Sequence, residues 1–548
     1  TIIEPDWLGS MNAHGELVLE HQKKHRVQPP MELEVGRDPV LLELFNARFM
    51  AVAEEMGFTL QKTAASVNIR ERLDFSCAIF DAQGDLVANA PHIPVHLGSM
   101  GACVQSLIHR HGNMMHPGDV WLSNSPYAGG THLPDVTVIT PVYRQGDSKP
   151  TFYVASRGHH ADIGGISPGS MPPNSQFIDE EGVSTEGLRI VEDGFFMEET
   201  VKNWLGSSLY PARNPNQNLA DIKAQIAANQ KGQAELLGLI DAYGSGTVLA
   251  YMGFIQDQGE AAIRSVIRAL DEGSFSVMMD SGATIVVSIR KGEDPSALCI
   301  DFTGTSGIQS DNQNAPVAIV KAAVLYVFRT LVDRPIPLNE GCLRPIQMIV
   351  PEDCFLNPKP PSAVVAGNVE TSQHIVDALY GALGKLCASQ GTMNNLTFGN
   401  QRHQYYETIC GGTGAGNGFE GADAMQSHMT NSRLTDPEVL EWKYPVRVER
   451  FEIRPDSGGE GRYRGGRGVL RTLRFLEPMT VGMLSNRRLV APHGLEGGGS
   501  GKTGINRLQS ASGECTQLPG AFLMDVKSGD AIEIETPGGG AYGKPSTS

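Results

Sequence analysis

The stretch from 131 to 162 constrains the chain more than any other. Residues 135–143 and 151–156 are two runs rich in β-branched and aromatic residues, joined by RQGDSKP at 144–150. Two such runs around a polar connection containing Gly predict an antiparallel hairpin. If the hairpin is symmetric about Asp147, Asp135 lies opposite His159, and His132 sits just beyond the same end. A one-residue slip would bring His160 there instead, because side chains alternate between faces.

Three potential metal ligands thus converge on one hairpin end. Asp74 opens another strand, at 74–80, and is a candidate fourth. Imidazoles and carboxylates in this combination suit Zn, Mn or Fe. A catalytic site of this kind keeps one position open for water, whose pKa the metal lowers toward neutrality. Spacing alone leaves a second reading open, in which these are ordinary polar groups capping turns. His92 and His96 belong near the same pocket, one of them in a supporting or structural role.

Elsewhere the pattern alternates between helix and strand. Asp38 and Pro39 start a helix whose apolar spacing runs through Leu41, Phe45, Phe49 and Met56, with Gly57 as a possible end. Helices are also expected at 96–110, 216–242, 247–270, 315–332 and 371–388, and strands at 119–123 and across 274–303. Residues 158–175 form a long Gly/Pro/Ser-rich loop, a length usually tied to function or disorder. After about 405 the chain reads as short β runs broken by Gly. The expected fold is α+β and multi-domain, with mixed helix and strand and a β-rich C-terminal region. The expected division is a polar arm at 1–37, a metal-site catalytic domain at 38–240, a mixed domain at 241–400 and the β-rich domain at 401–548.

A net charge of −17 over 548 residues argues against nucleic-acid or membrane-surface partners, which need a basic footprint. The eight cysteines include no CxxC pair, and the N-terminal residues show no signal-peptide pattern, so the expectation is a reduced, cytoplasmic protein. The most apolar long segment, 316–332, is interrupted by Lys321 and Arg329 and reads as a core helix.

Two glycine runs invite a nucleotide reading. EGGGSGKT at 496–503 has Glu496 where a phosphate loop needs Gly, and GINR after it is poor helix material. GGTGAGNGFEG at 411–421 contains a G-x-G-x-x-G match without an obvious following helix. No G-x-S-x-G elbow anchors a serine-hydrolase reading.

Several segments, in order, resemble the hydantoinase B/oxoprolinase family. They are NIRERLDFS (68–76), HIPVHLG (92–98), GDVWLSNSPYAGGTHLPD (118–135), GHHADIGG (158–165), PGSMPP (168–173), EGLRI (186–190), AQIAAN (224–229), AGNVETS (366–372) and ETPGGGAYG (535–543). The resemblance spans about 38–545 and carries the family's metal ligands onto Asp74, His132, Asp135 and His159, with His160 an alternative to His159. It implies the B subunit of an ATP-dependent cyclic-amide hydrolase acting on a hydantoin, 5-oxoproline or another lactam. One divalent transition metal would sit in this chain. ATP with Mg would be used by a partner ATPase subunit of the hydantoinase A/oxoprolinase type, in an expected A2B2 assembly. The alternatives are a subunit of an ATP-dependent ketone carboxylase, disfavoured by length, and a non-catalytic scaffold for the ATPase subunit. A scaffold has no reason to gather His and Asp at one strand end.

Overall fold

The computed structural model describes residues 7–11, 17–21, 36–333 and 336–545. Of the expected arm, Trp7–Met11 and Leu17–His21 pair as an antiparallel ribbon; residues 1–6, 12–16 and 22–35 lie outside the described residues.

Helix Pro39–Thr63 begins where Asp38 caps it, its Oδ1 accepting from the amides of Val40 and Leu41. The helix does not end at Gly57. The apolar stripe continues to Leu60, and Gly57 serves close packing: a Cβ there would lie 2.6 Å from Nε2 of His92.

That helix and Pro215–Tyr243 cover one face of a seven-stranded antiparallel sheet, and helix Pro94–His111 packs on the other. The strand order is Leu86–Asn89, Phe75–Phe80, Phe152–His159, Asp135–Val142, Val120–Ser123, Leu188–Glu192, Phe195–Phe196. Alternation sorts the side chains: Phe75, Cys77 and Ile79 join the first helix in one core, while Ala78 and Phe80 join Met100, Cys103 and Val104 in another. The central hairpin has the register expected of a turn centred on Asp147, with Asp135 opposite His159 and Val142 opposite Phe152.

A second sheet contains Gly273–Met278, Thr284–Lys291, Leu298–Asp301 and Ile346–Ile349, the last pair parallel. Helix Ser372–Leu383 lies on it, and helix Val317–Thr330 packs between Ser372–Leu383 and Pro94–His111. The approach of Pro94–His111 to Val317–Thr330 is so close that a Cβ on Gly98 would fall 2.3 Å from Cα of Ala322. The helix carrying His96 is thereby held against the second sheet's layer.

The C-terminal part contains a four-stranded and a five-stranded antiparallel sheet around one core that includes Phe398, Leu473, Phe475, Val481 and Ile532. Its glycine runs stack backbone on backbone. A Cβ on Gly412 would lie 1.9 Å from the carbonyl oxygen of Gly466, and one on Gly539 1.9 Å from that of Thr413. In the 496–503 run the amides of Gly499, Gly501 and Lys502 donate to the carbonyls of Glu460, Pro492 and Ser457. A strand, Ile505–Gln509, follows in place of a helix. Those amides are therefore not free to cradle a phosphate. No helix among the described residues is long and apolar enough to cross a membrane.

Candidate metal centre

Asp135 begins its strand and His159 ends the neighbouring one, so the hairpin's open end carries both. His132 arrives from the turn before Asp135, whose amide donates to the carbonyl of His132. Ligand atoms of His132, Asp135 and His159 all lie within 4.8 Å of one another, and all three residues are buried.

Oδ1 of Asp135 faces three imidazole nitrogens: Nε2 of His132 at 3.1 Å, Nδ1 of His159 at 3.2 Å and Nε2 of His96 at 3.2 Å. Burial pushes the Asp135 carboxyl up, but His132 and His96, with hydrogen bonds from His132 and His159, more than offset this and hold it well below the usual carboxylate range. Burial lowers the pKa of His159, against the opposing pull of Asp135 and Asp74. Nδ1 of His132 and Nε2 of His159 are buried without a hydrogen-bond partner. Buried polar atoms without partners are uncommon. Those two nitrogens are the ones turned away from Asp135; it is Nε2 of His132 and Nδ1 of His159 that converge on its carboxylate, a donor set that fits a divalent metal of the Zn, Mn or Fe kind.

Asp74 lines the same cavity but stands outside the tight group of three. Its carboxylate is 3.7 Å from Nη1 of Arg72, and at 7% it keeps more exposure than His132, Asp135 or His159. His96 is the supporting histidine: Nε2 faces Asp135 and Nδ1 faces the hydroxyl of Ser76. His92 lies apart, accepting from the amide of Cys77 and packing on Phe75.

The register turns His160 away. Its Nε2 meets Oε1 of Gln225 and its Nδ1 meets the amide nitrogen of Asn218, both from helix Pro215–Tyr243 on the other face. Asp162 is also engaged elsewhere. It accepts from the amides of Gly164, Gly169 and Arg213 and from the Arg213 guanidinium, pinning the long loop.

Two contributors come from far along the chain and were not among the sequence candidates. Tyr406 stacks on His159 at 4.7 Å between ring centroids, with the Arg72 guanidinium 4.6 Å from its ring centre. Asn368, in the AGNVETS segment, brings its amide nitrogen to 2.9 Å from Nε2 of His132. The cavity enclosed by these residues is about 20 Å³, room for an ion or a single water.

The sequence profile of the hydantoinase B/oxoprolinase family matches residues 38–545. The chain belongs to that family. It is 44% identical to 5-oxoprolinase 1 of Arabidopsis thaliana over 99% of its own length and 44% of that protein's. It thus spans less than half of the 5-oxoprolinases it matches. Among solved structures, the ATP-dependent caprolactamase of Pseudomonas jessenii superposes with a TM-score of 0.83 at 24% identity, covering 92% of this chain and 91% of the other. Acetone carboxylase in a nucleotide-free state gives 0.81 at 18% identity, covering 93% and 76%. At these identities the two structures show a shared fold.

Proposed function

We propose that this chain is the metal-bearing B-type component of an ATP-dependent hydrolase of cyclic amides, with Asp74, His132, Asp135 and His159 as its metal ligands. The substrate would be a hydantoin, 5-oxoproline or a related lactam. One observation carries the reading: His132, Asp135 and His159 converge at a buried hairpin end in a chain this similar to a 5-oxoprolinase.

An amide resists attack because nitrogen donation stabilises its carbonyl. Phosphorylating the lactam oxygen removes that resonance and creates a good leaving group. The ATP step belongs to a partner of the hydantoinase A/oxoprolinase type. One observation favours that division: the glycine runs of this chain use their amides on their own backbone. When bound, a divalent metal supplies Lewis acidity and a water acidified toward neutral pH. The carboxyl of Asp135 is held below its usual range by its imidazole neighbours and the pKa of His159 is lowered by burial, both shifts in the direction that ligation favours. A lactam ring does not fit in about 20 Å³, so substrate would approach from the side of Asp74, the most exposed of the four residues.

The fold shared with acetone carboxylase supports a second reading, a ketone carboxylase component. A panel of hydantoin, 5-oxoproline and caprolactam, assayed with ATP, the partner ATPase and labelled bicarbonate, separates the two. Ring opening with phosphate release and no label uptake is the expected result. Label in the product would move the chain to the carboxylase reading, and inertness toward every lactam would overturn the hydrolase assignment.

A further inference from the structure

Asp135 has two carboxylate oxygens, and only one of them faces the imidazoles. The other, Oδ2, accepts from the Thr131 hydroxyl at 2.6 Å and lies 3.4 Å from the amide nitrogen of Asn368. Thr131 is a close neighbour in sequence, whereas Asn368 lies 233 residues beyond Asp135 along the chain. It sits in a π-helical turn, Gly367–Thr371, at the head of helix Ser372–Leu383. Such wide turns recur at functional sites because they aim a side chain out of the regular helical track.

The turn is held on every side. A Cβ on Gly367 would lie 2.0 Å from the carbonyl oxygen of Asn314, so the backbone passes where only glycine fits. The Thr371 hydroxyl donates to the carbonyl of Gln313, and the Ser372 hydroxyl donates to that of Asn368 itself. Asn368 is 3% exposed, and its Oδ1 is buried without a partner. A structural asparagine at the head of a helix would use that oxygen on the backbone. This one directs its amide nitrogen into the His/Asp cluster, 2.9 Å from Nε2 of His132 and 3.4 Å from Oδ2 of Asp135.

We propose that Asn368 is a positioning residue of the metal centre: with Thr131 it holds Asp135 so that Oδ1 faces His132 and His159, making metal binding depend on the 367–383 segment. The inference rests on the metal-centre reading above. Partners that orient a ligating carboxylate typically matter 10–100-fold for metal affinity.

The test measures Zn2+ affinity by chelator competition and the Co2+ absorption spectrum of wild type, Asn368→Ala and Asn368→Leu, with melting of each metal-free chain alongside. Leucine keeps most of the volume and removes the amide. Both variants should bind Zn2+ roughly 10–100-fold more weakly and shift the Co2+ bands, while the metal-free melting point stays within a few degrees of wild type. Wild-type affinity and spectrum in both variants would overturn the proposal. So would metal loss that comes only with collapse of the metal-free fold in both. If wild type itself takes up neither ion, the metal-centre reading fails and this inference falls with it, an outcome distinct from variants that bind like wild type.

Discussion

His159 and His160 are adjacent and chemically identical, yet the fold gives them opposite roles. One caps a strand beside Asp135, and the other hydrogen-bonds Gln225 and Asn218 on the opposite face. That distinction was half legible in the sequence, since the symmetric hairpin put His159 in place but a one-residue slip could not be dismissed from the turn alone. His96 and His92 show the same limit: four residues apart, only one reaches Asp135, and strand-to-helix geometry decides which. At this scale the ligand assignment predicts that purified chain carries about one transition metal, and that His132→Ala loses most of it. Elemental analysis checks this, and full retention in the variant would sink the assignment. Asp162→Ala should keep its metal, because its carboxylate serves Gly164, Gly169 and Arg213. Leaving those buried donors unpaired should cost about 1–3 kcal/mol, read from thermal or denaturant unfolding.

Elements with a strong period or a clear cap were readable. Pro39–Thr63, Pro94–His111 and the hairpin fall where the residue pattern places them, apart from the helix running through Gly57. The glycine runs were not, because their role is backbone contact between segments distant in sequence, as between Gly412 and Gly466 and between Gly539 and Thr413. Lys502→Ala should accordingly leave ATP-dependent turnover within a few-fold of wild type, measured with the partner ATPase present. Gly539→Ala should lower the melting point sharply, since overpacking costs about 1–3 kcal/mol even where neighbours can shift. Buried Glu181 offers a pH-dependent test. It accepts from the amides of Val364 and Val365 and from Ser175, tying the loop after Ile178–Glu180 to the segment that leads into the Asn368 turn. Burial pushes its carboxyl up to about 8. Between the ordinary carboxylate pKa of 4.5 and about 8, the folded chain then holds a proton that the unfolded chain releases. Its contribution to stability falls as pH rises through that window and levels off above it. Glu181→Gln should flatten this slope, so melting points at pH 5.5 and 8.5 should differ less in the variant. An unchanged difference would show that Glu181 is ionised throughout.

At the scale of the whole molecule, the candidate centre draws on residues 72–74, 96, 131–135, 159, 368 and 406, of which the hairpin pattern links 131–135 with 159 and reaches neither 368 nor 406. Asn368 and Tyr406 lie more than two hundred residues beyond the hairpin, and only folding reveals their position. The architecture also bears on how the reaction is divided. On the proposed function, a buried His/Asp cluster in a chain whose glycine runs, among the described residues, spend their amides on their own backbone is suited to the second half of an ATP-driven ring opening and not to the first. The isolated chain, loaded with metal, should therefore open no lactam, with or without ATP. Adding the ATPase partner should bring ATP consumption, phosphate release and ring-opened product together. In that mixture His159→Ala should separate them: ATP turnover or a phosphorylated lactam persists while ring opening falls by two or more orders of magnitude, roughly the scale expected when a catalytic metal is lost. Parallel loss of both signals in a folded variant would place the phosphorylation step under this chain's control. Ring opening by the isolated chain without ATP would refute the division outright, because an unactivated amide would then be yielding to the metal centre alone.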